Sequence, residues 1–462
     1  MNGVRTRLVR ASGASGLSLL ARMLEQLLLV PVLLAAWSAD LFGEWLLIAA
    51  IPIYLSLFDL GVVQSGSNEL ARRAGAGDEQ AVRSFFRDYS SFFVKWSAAI
   101  FVGLAAAVTL SPVADWLDLS IIGNAEAGQI FLMLIGATLV SQNSMALLGG
   151  MRARRILPAG LLIRALGAFA RLGAAFLAVG LMDAGPVALA AIMLSSRAAE
   201  YAVQAALLKR HDLFVSFNPL RKSAESMRPF VVSGLEFLLF PLAQAILLQG
   251  AIVVAGLTLG SVAVAIFATH RTLARATSQI VRLVAVPLQA ESGLMQSKES
   301  LPELRAILLS VSRLTFWAAL ACAALLLLAG KPVFAAWTGG KIAYTPALFA
   351  PLILATIFET VWSVAASIRL GSNRHRPIAW GYLTISLAAL AAMAGLASDA
   401  GLAALGWIAA AAELAMLVLT IPVSAAVLDL PVRRFMLSLI TPPLAEIRQL
   451  AAFLFSRARQ TR

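Results

Sequence analysis

The chain has 462 residues, of which 60% are hydrophobic and only 13% charged, with a mean hydropathy of +0.85. Soluble domains carry nearer a quarter charged residues, so this composition excludes a globular protein on a single anchor and defines a polytopic membrane protein. The formal charge of +13 does not describe a nucleic-acid surface, because the basic residues are spread over short loops between apolar runs instead of forming one patch.

The first apolar run follows Arg5, Arg7 and Arg10, as in a signal peptide. However, Arg22, Glu25 and Gln26 interrupt it and apolar sequence continues to Trp37, so a retained first helix is expected. Further segments of spanning length follow, giving about twelve: residues 16–37, 42–64, 90–110, 127–149, 159–181, 186–208, 229–252, 262–288, 305–329, 344–368, 378–397 and 402–422. Pro52 and Pro241 fall mid-span in the second and seventh and predict kinks there. The N-terminal segment and the even-numbered turns collect Arg72, Arg73, Arg83, Arg87, Arg152, Arg154, Arg155, Lys209 and Arg210, with more beyond. The opposite turns hold only Lys331 and Lys341. By the positive-inside rule both termini are cytoplasmic.

The polar connection 209–228 divides the segments six and six. The expected fold is therefore an all-α polytopic membrane protein in two six-helix bundles, with pseudo-twofold symmetry and a central cavity. Its parts are an N-terminal bundle over 1–208, a cytoplasmic linker over 209–228, a second bundle over 229–424 and a basic amphipathic cytoplasmic tail over 425–462. In that tail Phe435, Leu437 and Leu439 alternate with Arg433 and Arg434, which predicts an interfacial helix broken at Pro442 and Pro443. A disordered basic tail has the same composition.

Charges inside the spans carry the functional signal. At roughly 100° per residue, Arg271, Arg275 and Arg282 fall within about 40° of one another on the eighth segment, with Ser278 beside them. Arg164 and Arg171, seven apart, share a face of the fifth, and Arg22 is deep in the first. A cation at mid-bilayer costs about 2.5–3.5 kcal/mol, so these side chains should face the protein interior or a water-filled cavity. Guanidinium is the planar, permanently charged donor suited to phosphate and pyrophosphate, which makes the six arginines candidates for binding an acidic substrate. Asp59, Glu236 and Glu359 are candidates for coupling to an ion or proton. Each charge also admits a structural reading, an ion pair locking two helices, with Glu25, Glu200 and Glu413 as further partners. Arg22 with Glu25 one turn on could be such a pair, and Arg282 could snorkel from a helix end.

Enzymatic constellations are missing, and no metal or cofactor is expected. Cys322 is alone, the three histidines are far apart, and no phosphate-loop pattern occurs. His270 borders the arginine stripe and is read as a hydrogen-bonded packing residue, Gly149 and Gly150 as close helix contacts.

The run Phe42, Gly43, Glu44, Trp45, then Tyr54, Leu55, Ser56, Leu57, Phe58, Asp59, Leu60, Gly61, followed by Asn68, Glu69, Leu70, Ala71, Gly77 and Asp78, resembles the start of the oligosaccharide flippases. These are the polysaccharide transporters, O-antigen and exopolysaccharide flippases among them, of the multidrug/oligosaccharidyl-lipid/polysaccharide exporter (MOP) superfamily. The eighth segment, with Arg271 in its middle and Pro287 and Glu291 at its exit, is similar to the corresponding helix of that family. Glu44 departs from the hydrophobic residue usual between Gly and Trp. The resemblance implies a bacterial inner-membrane protein that moves an undecaprenyl-pyrophosphate-linked sugar repeat between leaflets by alternating access, for lipopolysaccharide or other surface polysaccharide. It implies as partners the lipid-linked oligosaccharide, membrane lipids and a polysaccharide polymerase with its export machinery, around a monomer. Two alternatives stand beside it. A cation-coupled multidrug exporter of the same superfamily prefers an acidic, aromatic cavity. A membrane-embedded polymerase needs a substantial loop, whereas the longest outward turn here runs only over 111–126.

Overall fold

The structure is a computed structural model that describes residues 2–59, 61–216, 227, 238–294, 301–371 and 375–444. Glu236 lies outside the described residues, as do the side chains of Asp59 and Arg282, most of the 209–228 connection beyond 216, and the tail after 444. Every described element is helical. In chain order they are α1 (Asn2–Ala36), α2 (Ala39–Ala50), α3 (Val62–Gly75), α4 (Glu79–Thr109), the single turn α5 (Val113–Trp116), α6 (Asn124–Ala153), α7 (Leu157–Ala175) and α8 (Pro186–Lys209). There follow α9 (Leu238–Leu259), α10 (Ser261–Leu294), α11 (Leu301–Thr338), α12 (Pro346–Gly371), α13 (Arg376–Val427) and α14 (Val432–Ile440).

Among the described residues each predicted segment falls on helical structure. Among the described residues seven helices are long and apolar enough by themselves to cross a bilayer: α4, α6, α7 with its extension to Leu181, α9, α11, α12 and α13. The 52-residue α13 holds two spans, because Gly401 (φ 64°, ψ −157°) breaks it between them; only glycine adopts that conformation without strain. The second segment is broken too. Pro52 cannot continue the α2 ladder, and the chain tightens into a 3-10 stretch over Pro52–Asp59 before α3 resumes. Gln142 of α6 satisfies a carbonyl freed by this break, its amide donating to Leu55 O at 2.6 Å. Pro241 stands one turn ahead of a π turn over Ile246–Gly250 in α9.

Backbone packing divides the chain into two compact units, Met1–Ala268 with Trp337–Ile342, and Thr269–Ala336 with Ala343–Arg462. In the first unit, α3, α4 and α6 close around Phe85, Phe86, Tyr89 and Phe93. The approach depends on glycine: a Cβ on Gly150 would lie 2.6 Å from the Phe86 ring, and one on Gly149 would lie 3.1 Å from Ser67 Cβ. Glu44, the departure from the flippase pattern, has a structural cause. Its buried carboxylate accepts hydrogen bonds from the backbone N–H groups of Ser120 (2.7 Å), Ile121 (2.9 Å) and Ile122 (2.8 Å) and from the Ser120 hydroxyl (2.9 Å), tying down the α5–α6 turn.

In the second unit, α11, α12 and the end of α13 pack around Leu308, Val361, Val364 and Ile421. α14 belongs to this core: Phe435 and Leu439 insert into it, and the Trp317 indole donates to Leu439 O at 3.0 Å and Thr441 O at 3.1 Å. Its other faces leave Met436, Leu437 and Ile440 exposed.

Candidate functional site

The first unit assembles its charges on three helices. Small residues make this possible: Ala21 of α1 packs on Ala165 and Ala168 of α7, so the two helices approach closely and Glu25 comes level with Arg171, one turn further along each. Arg171 then grips Glu25 with a two-pronged fork, Nε at 2.7 Å and Nη2 at 3.0 Å. Its remaining nitrogen, Nη1, reaches Glu200 of α8 at 3.4 Å, where Gly167 leaves the space that a Cβ would crowd to 3.1 Å from Glu200 Oε2. Glu200 is the hub of the cluster. Besides Arg171 it meets Arg164 Nη1 at 3.4 Å and Arg197 Nη1 at 3.2 Å, and the Ser144 hydroxyl lies 3.2 Å away. Arg22 stands within electrostatic reach of Arg164 and donates through Nε to Ser18 O at 3.3 Å. Among the described residues three guanidiniums thus pair with two carboxylates, with a fourth, that of Arg22, close by. Two buried donors in this hub make no hydrogen bond among the described residues: Gln204 Nε2, and Arg164 Nη1, which meets Glu200 as an ion pair only.

The cluster opens onto a cavity of about 650 Å³. Arg22, Glu25 and Gln26 line it from α1, Arg171 from α7, and Arg197 with Met193 from α8. Its remaining walls are mostly apolar: Trp45 and Ala49 of α2, Pro52, Ile53, Val63 of α3, and Leu134, Ala137 and Met145 of α6, with Thr138, Ser141 and Gln142 as the polar exceptions. The broken second segment therefore forms one wall. Its 3-10 stretch and Gln142 belong to the same local solution, a broken helix tolerated where it borders a cavity.

The second unit holds the other arginines. Arg275 of α10 forms a two-pronged ion pair with Glu359 of α12, Nη1 at 3.1 Å and Nη2 at 3.2 Å. Arg271 lies one turn away, within electrostatic reach of Arg275. Glu413 of α13, buried beside this pair, accepts a hydrogen bond from the Trp362 indole at 2.6 Å, and Trp362 in turn meets Tyr382 edge-on at 5.3 Å. His270 is enclosed by Phe334, Tyr344 and Phe349, and its Nε2 accepts from Thr345 N–H at 2.9 Å, the hydrogen-bonded packing role expected of it.

Of the residues singled out in the sequence, Arg22, Arg164 and Arg171 come together in the first unit. Arg271, Arg275 and Glu359 come together in the second. Glu25 partners Arg171 on α7. Arg197 and Glu200 were visible as an i, i+3 pair on the sixth segment, yet single-helix spacing could not show that Glu200 collects three arginines.

No family model matches the sequence, and no curated protein matches it. Among solved structures the chain has the fold of a class of polytopic transporters. It is similar to a multidrug resistance MATE family transporter of the MOP superfamily in an inward-facing conformation, with a TM-score of 0.71 at 16% identity over 88% of this chain and 96% of that one. An outward-facing structure of such a transporter gives 0.64 at 15% identity, covering 92% of this chain and 95% of that one. A MOP superfamily transporter from Pyrococcus furiosus, whose pocket is described as having reverse polarity suggesting a different function, gives 0.63 at 15% identity, over 91% and 96%. At these identities the shared property is the fold: that of the MATE transporters, an all-α polytopic architecture of about twelve spanning helices in two bundles.

Proposed function

We propose that this protein is a MATE-fold exporter of amphipathic organic solutes whose first-unit cavity selects cargo with an acidic headgroup. The exporter part of this reading is supported by the fold, since the solved proteins to which the chain is similar are described as multidrug resistance transporters. It is the alternative weighed beside the flippase resemblance, with the polarity of the cargo reversed. One observation carries that reversal: among the described residues three guanidiniums share two carboxylates, with Arg22 beside them, at the polar end of an apolar-walled cavity of about 650 Å³. Apolar walls take the body of the solute by burial, and the surplus positive charge offsets the cost of drawing its headgroup from water. The distribution of Lys and Arg supports an inner-membrane protein with both termini cytoplasmic, working as two halves of six helices.

A second reading is favoured by the same arginines. Guanidinium forks suit pyrophosphate, so a lipid-linked oligosaccharide of the kind implied by the flippase resemblance would place its headgroup at Arg22, Arg171 and Arg197 and leave its tail in the bilayer.

Expression in an efflux-deficient bacterium tests both readings. Resistance to acidic amphiphiles, abolished by Arg171→Ala in a stably inserted protein, is the expected result. Resistance confined to cationic compounds overturns the acidic-cargo reading. Restored surface polysaccharide in a flippase-deficient strain, without drug resistance, moves the assignment to the lipid-linked cargo.

A further inference from the structure

The short helix α14 belongs to neither charge cluster, and its nine residues, about 13 Å of helix, cannot span a bilayer. Phe435 and Leu439 bury one edge of it in the second unit's core. At roughly 100° per residue Leu437 stands opposite that edge and is 53% exposed, with Ile440 nearby at 68%. Leu444, just past the helix, is exposed as well. Large apolar side chains grouped on an element that does not span the membrane need a cover.

Backbone and charge together identify that cover. The last carbonyls of a helix lack an intrahelical donor, and in an aqueous setting water supplies one. Here the protein supplies it. The Ser438 hydroxyl donates to Phe435 O at 2.6 Å, the Thr441 hydroxyl to Ser438 O at 2.7 Å, and the Trp317 indole to Leu439 O and Thr441 O at 3.0 and 3.1 Å. Pro442 and Pro443 follow without an N–H, and the Leu444 N–H turns back to Pro442 O at 3.0 Å. A helix end closed in this way suits a medium without water. The opposite end is cationic. Arg433 and Arg434 are exposed, α14 contains no acidic residue, and neither arginine meets a carboxylate among the described residues; Asp429, close by in the chain, pairs with Arg305 at 3.4 Å. Position agrees with both ends. The chain enters α14 beside Arg305 of α11, which donates to Leu428 O, and leaves it beside Trp317, more than three turns or about 18 Å further along α11. Between Arg313 and Lys331 α11 carries no charge, so the closed end of α14 lies next to the apolar part of α11 and the arginines next to its polar part.

We propose that α14 is a docking surface for anionic phospholipids: Leu437, Ile440 and Leu444 enter the acyl boundary, and Arg433 and Arg434 meet the headgroup phosphates of the leaflet at which α13 ends. Phe435, Leu439 and Trp317 fasten the same helix to the core of the second unit, so headgroup charge is passed on to the stability of that unit. Nothing in this depends on the cargo of the first-unit cavity.

The full chain in nanodiscs of phosphatidylcholine, alone or with about a third phosphatidylglycerol, provides the test. A bimane on Leu437→Cys, in a Cys322→Ala background, should be quenched by lipids brominated high on the acyl chain and hardly at all by aqueous iodide. The wild type should melt about 4–8 °C higher in the discs with phosphatidylglycerol, the scale of two arginines at an anionic surface, and Arg433→Gln/Arg434→Gln should melt alike in both. Quenching by iodide and not by brominated lipid overturns the docking. A label shielded from both quenchers, with two copies of the chain per disc, puts a second copy on this face and overturns it equally. No melting difference in the wild type, or the same difference in the double variant, overturns the recognition of anionic lipid. Should the double variant fail to insert, the wild-type difference is measured again in about 0.5 M NaCl, where screening must remove it; a difference that persists there overturns the role of the two arginines.

Discussion

Replacing Glu200 by Gln tests the architecture of the cluster most directly. The substitution keeps the shape of the side chain and an acceptor for Ser144, 3.2 Å away, while it removes the charge and turns the other oxygen into an N–H donor. Arg164, Arg171 and Arg197 then lose their common partner at 3.2–3.4 Å. Arg171 keeps Glu25, but Arg164 and Arg197 have no other carboxylate within ion-pair distance among the described residues. Breaking a buried pair from one side costs about 3–5 kcal/mol, because an uncompensated charge is left in a low dielectric. Glu200 is fully buried and serves three cations, so the upper part of that range applies. At about 2–4 °C per kcal/mol for a domain of this size, the melting temperature in mild detergent should fall by on the order of 10 °C. Glu25→Gln should cost far less, about 1–2 kcal/mol, since Arg171 retains Glu200 and the site borders a cavity. Intrinsic tryptophan fluorescence during heating, followed by size exclusion, reads both variants. A Glu200→Gln protein melting within a few degrees of the wild type, or a Glu25→Gln protein less stable than it, would refute the reading of Glu200 as the hub of the cluster.

Glu44→Leu, which restores the hydrophobic residue usual in the resembling family, leaves three backbone N–H groups of the α5–α6 turn without their acceptor; at about 1–3 kcal/mol per unsatisfied group, hydrogen exchange at Ser120, Ile121 and Ile122 should rise by at least tenfold. Gly43→Ala would drive a Cβ into the Ser261 carbonyl, and because backbone cannot yield as a flexible side chain does, little folded protein should be recovered from membranes. Glu69, held down to about 2 by hydrogen bonds from Arg72 and then Arg73 against its partial burial, contributes stability above the ordinary carboxylate range that is lost as pH falls towards 2. Because Arg72 is mostly exposed, Glu69→Gln should cost less than about 1 kcal/mol at neutral pH and nothing measurable in strong acid.

The spans were legible because a bilayer leaves little choice: an apolar run of some twenty residues must be helical to satisfy its backbone, and Lys and Arg orient it. Periodicity of two or three residues on one helix also located the charges. Their partners were harder to see. Glu25 is one turn from Arg22 in the sequence but meets Arg171, 146 positions away, because Ala21, Ala165 and Ala168 bring α1 and α7 together. Small residues determine helix approach, and a single sequence does not say which small face meets which. Glu44 illustrates the same limit from another side. In the sequence it is an anomaly in a hydrophobic slot; its cause is three amides of a turn more than seventy residues further on.

The arginine stripe of the eighth segment and the arginines of the first unit differ in their charge balance, and that difference decides where an anion would go. Around Arg275 two described arginines, Arg271 and Arg275, stand with two buried carboxyl groups, Glu359 and Glu413, one for each. Around Glu200 the described residues bring three arginines, Arg164, Arg171 and Arg197, to two carboxyl groups, with Arg22 nearby, and Arg171 and Arg197 border a cavity. Surplus charge of one sign in a low-dielectric region, and not the number of arginines, provides the pull on a headgroup. Arg275→Ala should therefore lower stability by about 3–5 kcal/mol, as the removal of one partner from a buried pair does, yet leave octane-1-sulfonate affinity within about twofold. Arg171→Ala should weaken that affinity by at least tenfold, the scale of one charge-assisted fork. Calorimetry on the two purified variants separates these outcomes. The opposite ranking, with affinity lost at Arg275 and kept at Arg171, would move the anion site into the second unit and end the case for the first-unit cavity.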